Sequence, residues 1–229
     1  MFFDFRYILF VMIPALVLAG LAQMWLKGAF AKWSQRPARS GMSGREAARA
    51  ILDAAGLHDV RIEGVPGMLS DHYDPNKKAV FLSQDIMDGR TPAAIGVAAH
   101  EVGHALQDAQ GYAPMRARAA IVPLANIGSQ LAFPMIILGL ILNVIGLAWV
   151  GVVAFGLAVL FHLVTLPVEF DASRRAIKIV DQSGIAHAED MPGVRSCLHA
   201  AGFTYVAATA GAILNLLYYV MLVSSASRD

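Results

Sequence analysis

The sequence predicts a mainly α, integral membrane protein with about four transmembrane helices and a small α+β domain on the cytoplasmic side. Three observations lead there. Only 15% of the 229 residues are charged and 57% are hydrophobic, whereas a soluble domain carries about 25% charged residues. The apolar excess is gathered into charge-free blocks long enough to cross a bilayer core of about 30 Å. Between the blocks lie polar stretches with ordinary cap, strand and turn signals. A formal net charge of +1 gives no electrostatic footprint for nucleic acid. The single cysteine, Cys197, can form neither an internal disulfide nor a thiolate zinc cage.

The first crossing takes residues 1–26, with its charge-free part at 7–26. Lys27, Lys32, Arg36 and Arg39 follow the apolar run instead of preceding it, and no small-x-small site comes before the polar region. The run therefore reads as a retained helix rather than a cleaved signal, kinked at Pro14. Residues 27–118 form the polar domain. Within it Ser43-Gly44-Arg45-Glu46 is a capping box, opening a helix that stops at Gly56, with Ala47, Ala50, Ile51 and Ala54 as its apolar stripe. Residues 60–63 and 79–82 read as short strands, and 64–78, with Pro66, Gly67, Asp74-Pro75 and Asn76, as turns. Thr91-Pro92 starts the next helix, 92–110.

The stretch 119–168 carries no charge and is too long for one crossing, so residues 119–166 hold two helices, at 121–142 and 144–166, turning near Asn143 to Gly146. A second polar segment, 167–202, precedes a last crossing at 203–223. Four crossings place every one of the 18 basic residues except Arg6 and Arg228 on one side. The positive-inside rule makes that side the cytoplasm.

His100-Glu101-Val102-Gly103-His104 is an HExxH string on the 92–110 helix. The i, i+4 spacing brings both imidazoles to one helix face, where they can bind a single Zn2+, and sets Glu101 beside the open position as general base. A catalytic zinc needs a third protein ligand. The position at which metzincins supply one holds Gln110, which excludes that subtype. Cys197 and His199 qualify by residue type. Glu169 is better placed, just after the third crossing on the same side as HExxH and at the expected start of a helix, where an acid would also suit the helix N-terminus.

Three stretches in order carry a family resemblance: Ser-Asp-His-Tyr-Asp-Pro at 70–75, His-Glu-Val-Gly-His-Ala-Leu-Gln at 100–107, and Leu-Pro-Val-Glu-Phe-Asp-Ala-Ser-Arg-Arg-Ala at 166–176. Together they resemble the YugP-type neutral zinc metallopeptidases of bacterial membranes, across nearly the whole chain. The Glu-Phe-Asp-Ala-Ser stretch is also similar to the Glu-x-x-Ala-Asp of HtpX-type and prenyl-protein membrane proteases. That resemblance implies a zincin-like domain, a bacterial inner-membrane location and Glu169 as third zinc ligand. Ser173 stands where those relatives have an Asp supporting a ligand histidine, so Asp171 or Asp108 is expected in that supporting role.

The implied activity is zinc-dependent endopeptidase cleavage of membrane-associated or misfolded proteins, with a peptide or protein substrate and the bilayer as partners. Oxyanion donors are sought among His72, Tyr73, Arg174 and Arg175, with His72 and Arg174 first. The strand at 79–82 offers an edge for an extended substrate. Two other readings compete: a non-catalytic zinc-binding scaffold, which would have no use for Glu101, and a site-2-type intramembrane protease. Against the latter, the HExxH helix ends in polar Gln107, Asp108 and Gln110, and no Asp-Gly motif follows in a later crossing.

Overall fold

The computed structural model describes residues 5–227, so Arg228, one of the two basic residues set opposite the rest, lies outside them. The chain is mainly helical. Its elements are α1 (Phe5–Tyr7), a π-helical turn (Ile8–Met12), α2 (Ile13–Trp33), α3 (Gly44–Ala54), β1 (Arg61–Val65), β2 (His72–Asp74), β3 (Ala79–Ser83), α4 (Gln84–Met87), α5 (Pro92–Ala109), α6 (Ala113–Ile141), α7 (Ile145–Ser183) and α8 (Met191–Ala226). Among the described residues, four helical spans are long and apolar enough to cross a membrane: Phe5–Trp33, Ala113–Ile141, Ile145–Ser183 and Met191–Ala226. The chain divides into two compact units.

One unit comprises Met1–Ala22, Ala113–Pro167 and Thr204–Asp229. Its π-helical turn directly precedes Pro14. A proline lacks an N–H and crowds the carbonyl four residues back, and a wider turn is a usual accommodation. Ile136, Ala148, Val152 and Val223 form a buried apolar cluster. α6 and α7 reverse direction at Asn143, which takes a left-handed φ of 56° while the Val144 amide donates to Gly139 O at 2.8 Å. Asn tolerates that conformation better than most residues, because its side chain bonds locally.

The other unit comprises Gln23–Tyr112 and Val168–Phe203. The capping box forms as the sequence predicts: the Glu46 amide donates to Ser43 Oγ (3.2 Å) and the Ser43 amide to Glu46 Oε2 (2.7 Å). Gly56, with φ +72°, stops the helix. The buried stripe of α3 is Gly44, Ala47, Ala48, Ile51 and Leu52. Ala50 and Ala54, expected in it, point more outward, because the contact with α5 and the sheet is centred one position round the helix. Thr91 Oγ1 caps α5 by accepting from the Ala94 amide at 3.2 Å, ahead of Pro92.

The sheet corrects two expectations. β2 lies inside the stretch read as turns. The tight bend at 75–78, with Lys78 at φ +50° and Asp74 Oδ1 accepting from the Asn76 and Lys77 amides, folds 72–74 back onto β3. The strand order is β1-β3-β2, with β3 parallel to β1 and antiparallel to β2. β3 is therefore central and wholly buried, with both flanks already paired, and has no edge to offer a substrate; the edges belong to β1 and β2.

The long helices overrun the apolar runs. α6 begins at Ala113, α8 at Met191, and α7 continues unbroken through Pro167 to Ser183. Glu169 therefore sits within a helix, not at an N-terminus. Complementing a helix dipole is not its reason for being there.

Candidate metal centre

α5 supplies two imidazoles from one face. His100 and His104 are one turn apart, their ring centroids 4.7 Å from each other and their planes at 82°. α7 crosses α5 and presents Glu169, 3% exposed, whose Oε2 lies 3.3 Å from His100 Nε2 and 3.7 Å from His104 Nε2. A ligand atom from each of the three lies within 4.8 Å of the others.

The close approach of these helices is set at Gly103. A Cβ built there would lie 2.7 Å from Ala172 O and 3.2 Å from Ala172 Cα. Only the missing side chain lets the α7 backbone come that near, and Ala172 is one turn beyond Glu169. The second x of HExxH thus fixes how closely the third ligand can approach.

The remaining ring nitrogens are engaged. His104 Nδ1 pairs with Gln107 Oε1 at 3.0 Å, and Gln107, fully buried, donates through Nε2 to Val168 O (2.9 Å) and Asp171 Oδ2 (2.9 Å). With its amide nitrogen committed to two acceptors on α7, Gln107 must turn its oxygen to the histidine. That makes His104 Nδ1 a protonated nitrogen and leaves Nε2 as the atom facing Glu169, able to carry a proton to the carboxylate or to offer its lone pair to a metal. His100 Nδ1 pairs with Ser173 Oγ at 3.1 Å. Asp171 is held in turn by Arg175 Nε (2.5 Å), and Arg175 also donates to Gln110 Oε1 (2.6 Å) and lies over the Tyr112 ring. The support expected directly from Asp171 or Asp108 is thus corrected. Ser173 and Gln107 touch the histidines, Asp171 acts one bond further out, and Asp108 accepts from the Tyr73 hydroxyl at 2.9 Å.

Electrostatics fits a cation at this point. Burial alone would push the Glu169 carboxyl up, but hydrogen bonds and charge from His100 and His104 hold it far below the usual carboxylate range. Burial alone would push the His104 imidazole down, yet the Glu169 hydrogen bond and the Glu101 and Glu169 charges raise it. A buried anion facing two nitrogen donors attracts positive charge, whether proton or metal.

A family model described as "Putative neutral zinc metallopeptidase" matches residues 8–224. The chain belongs to this family. It is similar to "Putative membrane protease YugP" of Bacillus subtilis (strain 168), with 44% identity over 214 residues, covering 93% of this chain and 95% of the relative. No solved structure matches.

The donor set fits the zinc that this family's name implies. Tetrahedral zinc with N and O ligands at about 2.1 Å has ligand–ligand edges of about 3.4 Å, close to the 3.3 and 3.7 Å separations seen here. The two other candidate ligands lie elsewhere. Cys197 is buried in an apolar cluster with Ala29, Trp33, Ala93 and Ala200, where burial pushes its thiol up to about 12, and His199 is exposed. Of the residues placed at the site from the sequence, the structure brings together His100, His104 and Glu169, with Glu101 buried beside them on α5.

His72 and Arg174 stand apart. Tyr73 turns toward α5 through its bond to Asp108, so strand alternation directs His72 to the opposite sheet face, where it stacks on Phe81 at 4.8 Å and its Nδ1 meets Ser70 O. Arg174 is exposed, five residues and so about 140° round α7 from Glu169. Arg175 is occupied by Asp171 and Gln110. The sequence assigns no supporting role to Gln107 or to Ser173, although each has a local signal: Gln107 is three residues after His104, and Ser173, at the place of the relatives' supporting Asp, is four after Glu169, each on the same helix face as that ligand.

Proposed function

We propose that this chain is a membrane-embedded zinc-dependent endopeptidase in which His100, His104 and Glu169 bind the metal and Glu101 is the general base. The observation that carries the proposal is the convergence of three ligand atoms within 4.8 Å, with the second nitrogen of each imidazole already hydrogen-bonded. Family membership supports the protease activity. A buried Glu101 next to the ligands argues against a purely structural site, which needs no base.

Zinc bound here supplies a water acidified to a pKa of about 7 and a polarised substrate carbonyl. Glu101 takes the proton from the attacking water as its oxygen bonds to the carbonyl carbon. When the C–N bond breaks, Glu101 returns that proton to the leaving amine. Gln107 holds His104 in the tautomer that offers Nε2, and Ser173 orients the His100 ring through Nδ1. The basic residues at helix ends support a cytoplasmic side for this polar unit, and the family resemblance supports a bacterial inner membrane. Membrane-associated or misfolded proteins are the substrate class such a location offers.

Glu101→Gln is expected to retain about one zinc per chain and to lose proteolysis, while trapping substrates for mass spectrometry. Glu169→Ala is expected to lose the metal. Stoichiometric zinc in Glu169→Ala refutes the ligand set. A wild-type chain that binds zinc, cleaves nothing in a proteome-wide assay and behaves in cells like Glu101→Gln refutes the catalytic reading.

A further inference from the structure

Large apolar side chains exposed on this chain lie almost entirely in the apolar crossings. Among the described residues of 27–118 there are two exceptions, Met68 (81% exposed) and Leu69 (50% exposed), side by side at the tip of the β1–β2 connection. The tip is a built turn. Gly67 takes φ +97° and Leu69, a branched residue, φ +56°, and Ser70 Oγ bonds back to Pro66 O (3.0 Å) and Gly67 O (2.9 Å). A left-handed leucine costs about 1–2 kcal/mol, an unusual expense for pushing two hydrophobes toward water.

The position of the tip accounts for it. Met68 and Leu69 line a cavity of about 680 Å³ together with Gln23, Leu26, Lys27 and Phe30 of α2. The charge-free run of the first crossing ends at Leu26, and Lys27 is the first cation after it, so this part of α2 is where the helix leaves the hydrocarbon for the headgroups. The tip is level with that point. Trp25, 47% exposed and packed against Phe203 at 5.4 Å, is an interfacial side chain at the same depth.

We propose that the Met68–Leu69 tip is a second membrane contact that inserts into the interfacial layer beside α2, and that bilayer lipid fills the apolar groove between them. The tip fixes the polar unit at a second point on the membrane. Lys27, Asp85 and Asp88 all line the groove, so its fit to lipid rests on its apolar wall and not on headgroup charge. This reading does not depend on the protease assignment.

The test places an environment-sensitive nitrobenzoxadiazole (NBD) dye on Met68→Cys and, as a control, on His58→Cys in the full chain. Cys197 is buried and its thiol pushed up, so it labels poorly. The labelled proteins are reconstituted in nanodiscs of phosphatidylcholine with phosphatidylglycerol. At position 68 the emission should shift to the blue, be quenched by doxyl-labelled lipid and resist aqueous iodide. At position 58 iodide should quench and doxyl lipid should not. Iodide quenching at both positions overturns the proposal by placing the tip in water. A dye at 68 that neither quencher reaches overturns it too, because protein then covers the tip. Met68→Asp with Leu69→Asp supplies a second reading: doxyl quenching of a dye at Pro66→Cys, which keeps the backbone carbonyl that Ser70 Oγ bonds, should be lost in that background, and unchanged quenching is a refutation.

Discussion

Replacing Gly103 by alanine tests whether the α5–α7 crossing sets the metal site. The added Cβ would start 2.7 Å from Ala172 O, a backbone atom that cannot rotate away, whereas ordinary contacts begin at 3.4 Å. The α7 backbone must therefore retreat by about 0.7 Å, at the roughly 1–3 kcal/mol typical of overpacking. Glu169 is one turn from Ala172 on the same helix and moves with it, opening the 3.3 and 3.7 Å separations to the imidazoles. Zinc affinity should fall about 10–100-fold, the usual loss when the groups orienting ligands are disturbed. Gly96→Ala is the matched control. Its Cβ would meet Val194 at 3.5 Å, an ordinary contact, and it gains the same helix propensity, up to about 1 kcal/mol. Chelator competition on the purified full chain in detergent measures zinc affinity, and thermal melting measures the fold. The reasoning predicts weaker zinc in Gly103→Ala with native affinity and equal or higher melting in Gly96→Ala. Equal zinc affinities in the two variants refute it.

Gln107→Leu should weaken zinc by a similar 10–100-fold and destabilise the chain by about 1–3 kcal/mol, since it leaves buried groups on His104 and α7 unpaired; the cobalt(II)-substituted absorption spectrum reports the disturbed ligand field. Ser173→Ala should shift the same spectrum less, because it removes a single bond to His100. Glu46 is lowered first by the Ser43 amide and then by Arg90. Its contribution is thus present above the ordinary carboxylate value of 4.5 and lost as pH falls through its lower folded value. In acid melts, the difference in melting temperature between wild type and Glu46→Gln should shrink as pH drops, and a constant gap would refute that assignment.

The features legible in the sequence are those decided within one helical turn. Ser43 with Glu46, Thr91 with Ala94, and His100 with His104 are neighbours three or four residues apart, and each pair forms as its spacing dictates. Charge-free length located the long helices but not their ends, because helical hydrogen bonding does not stop where the solvent changes. α7 runs on into Arg174, Arg175 and Lys178. The β2 strand escaped notice because three residues held by one partner strand and by Asp71 on the Ser83 amide give no periodic signal. His72 and Arg174 were placed by residue type alone. The pleat of a strand and the pitch of a helix turned both away.

Glu169 is 65 residues from His104 in sequence, and what joins them is the network around Gln107. That side chain accepts from His104 and donates to two groups on α7, so it reads the helix crossing and sets the histidine tautomer in one step. Gly103 fixes the spacing of the same crossing from the backbone. A ligand set drawn from one helix would need neither device. Drawing the third ligand from α7 makes metal geometry a property of packing between two helices, and it requires a residue without a side chain and a buried amide side by side on α5. Substitutions at Gly103 and Gln107 together should therefore be less than additive in zinc affinity, because each disturbs the crossing on which the other acts.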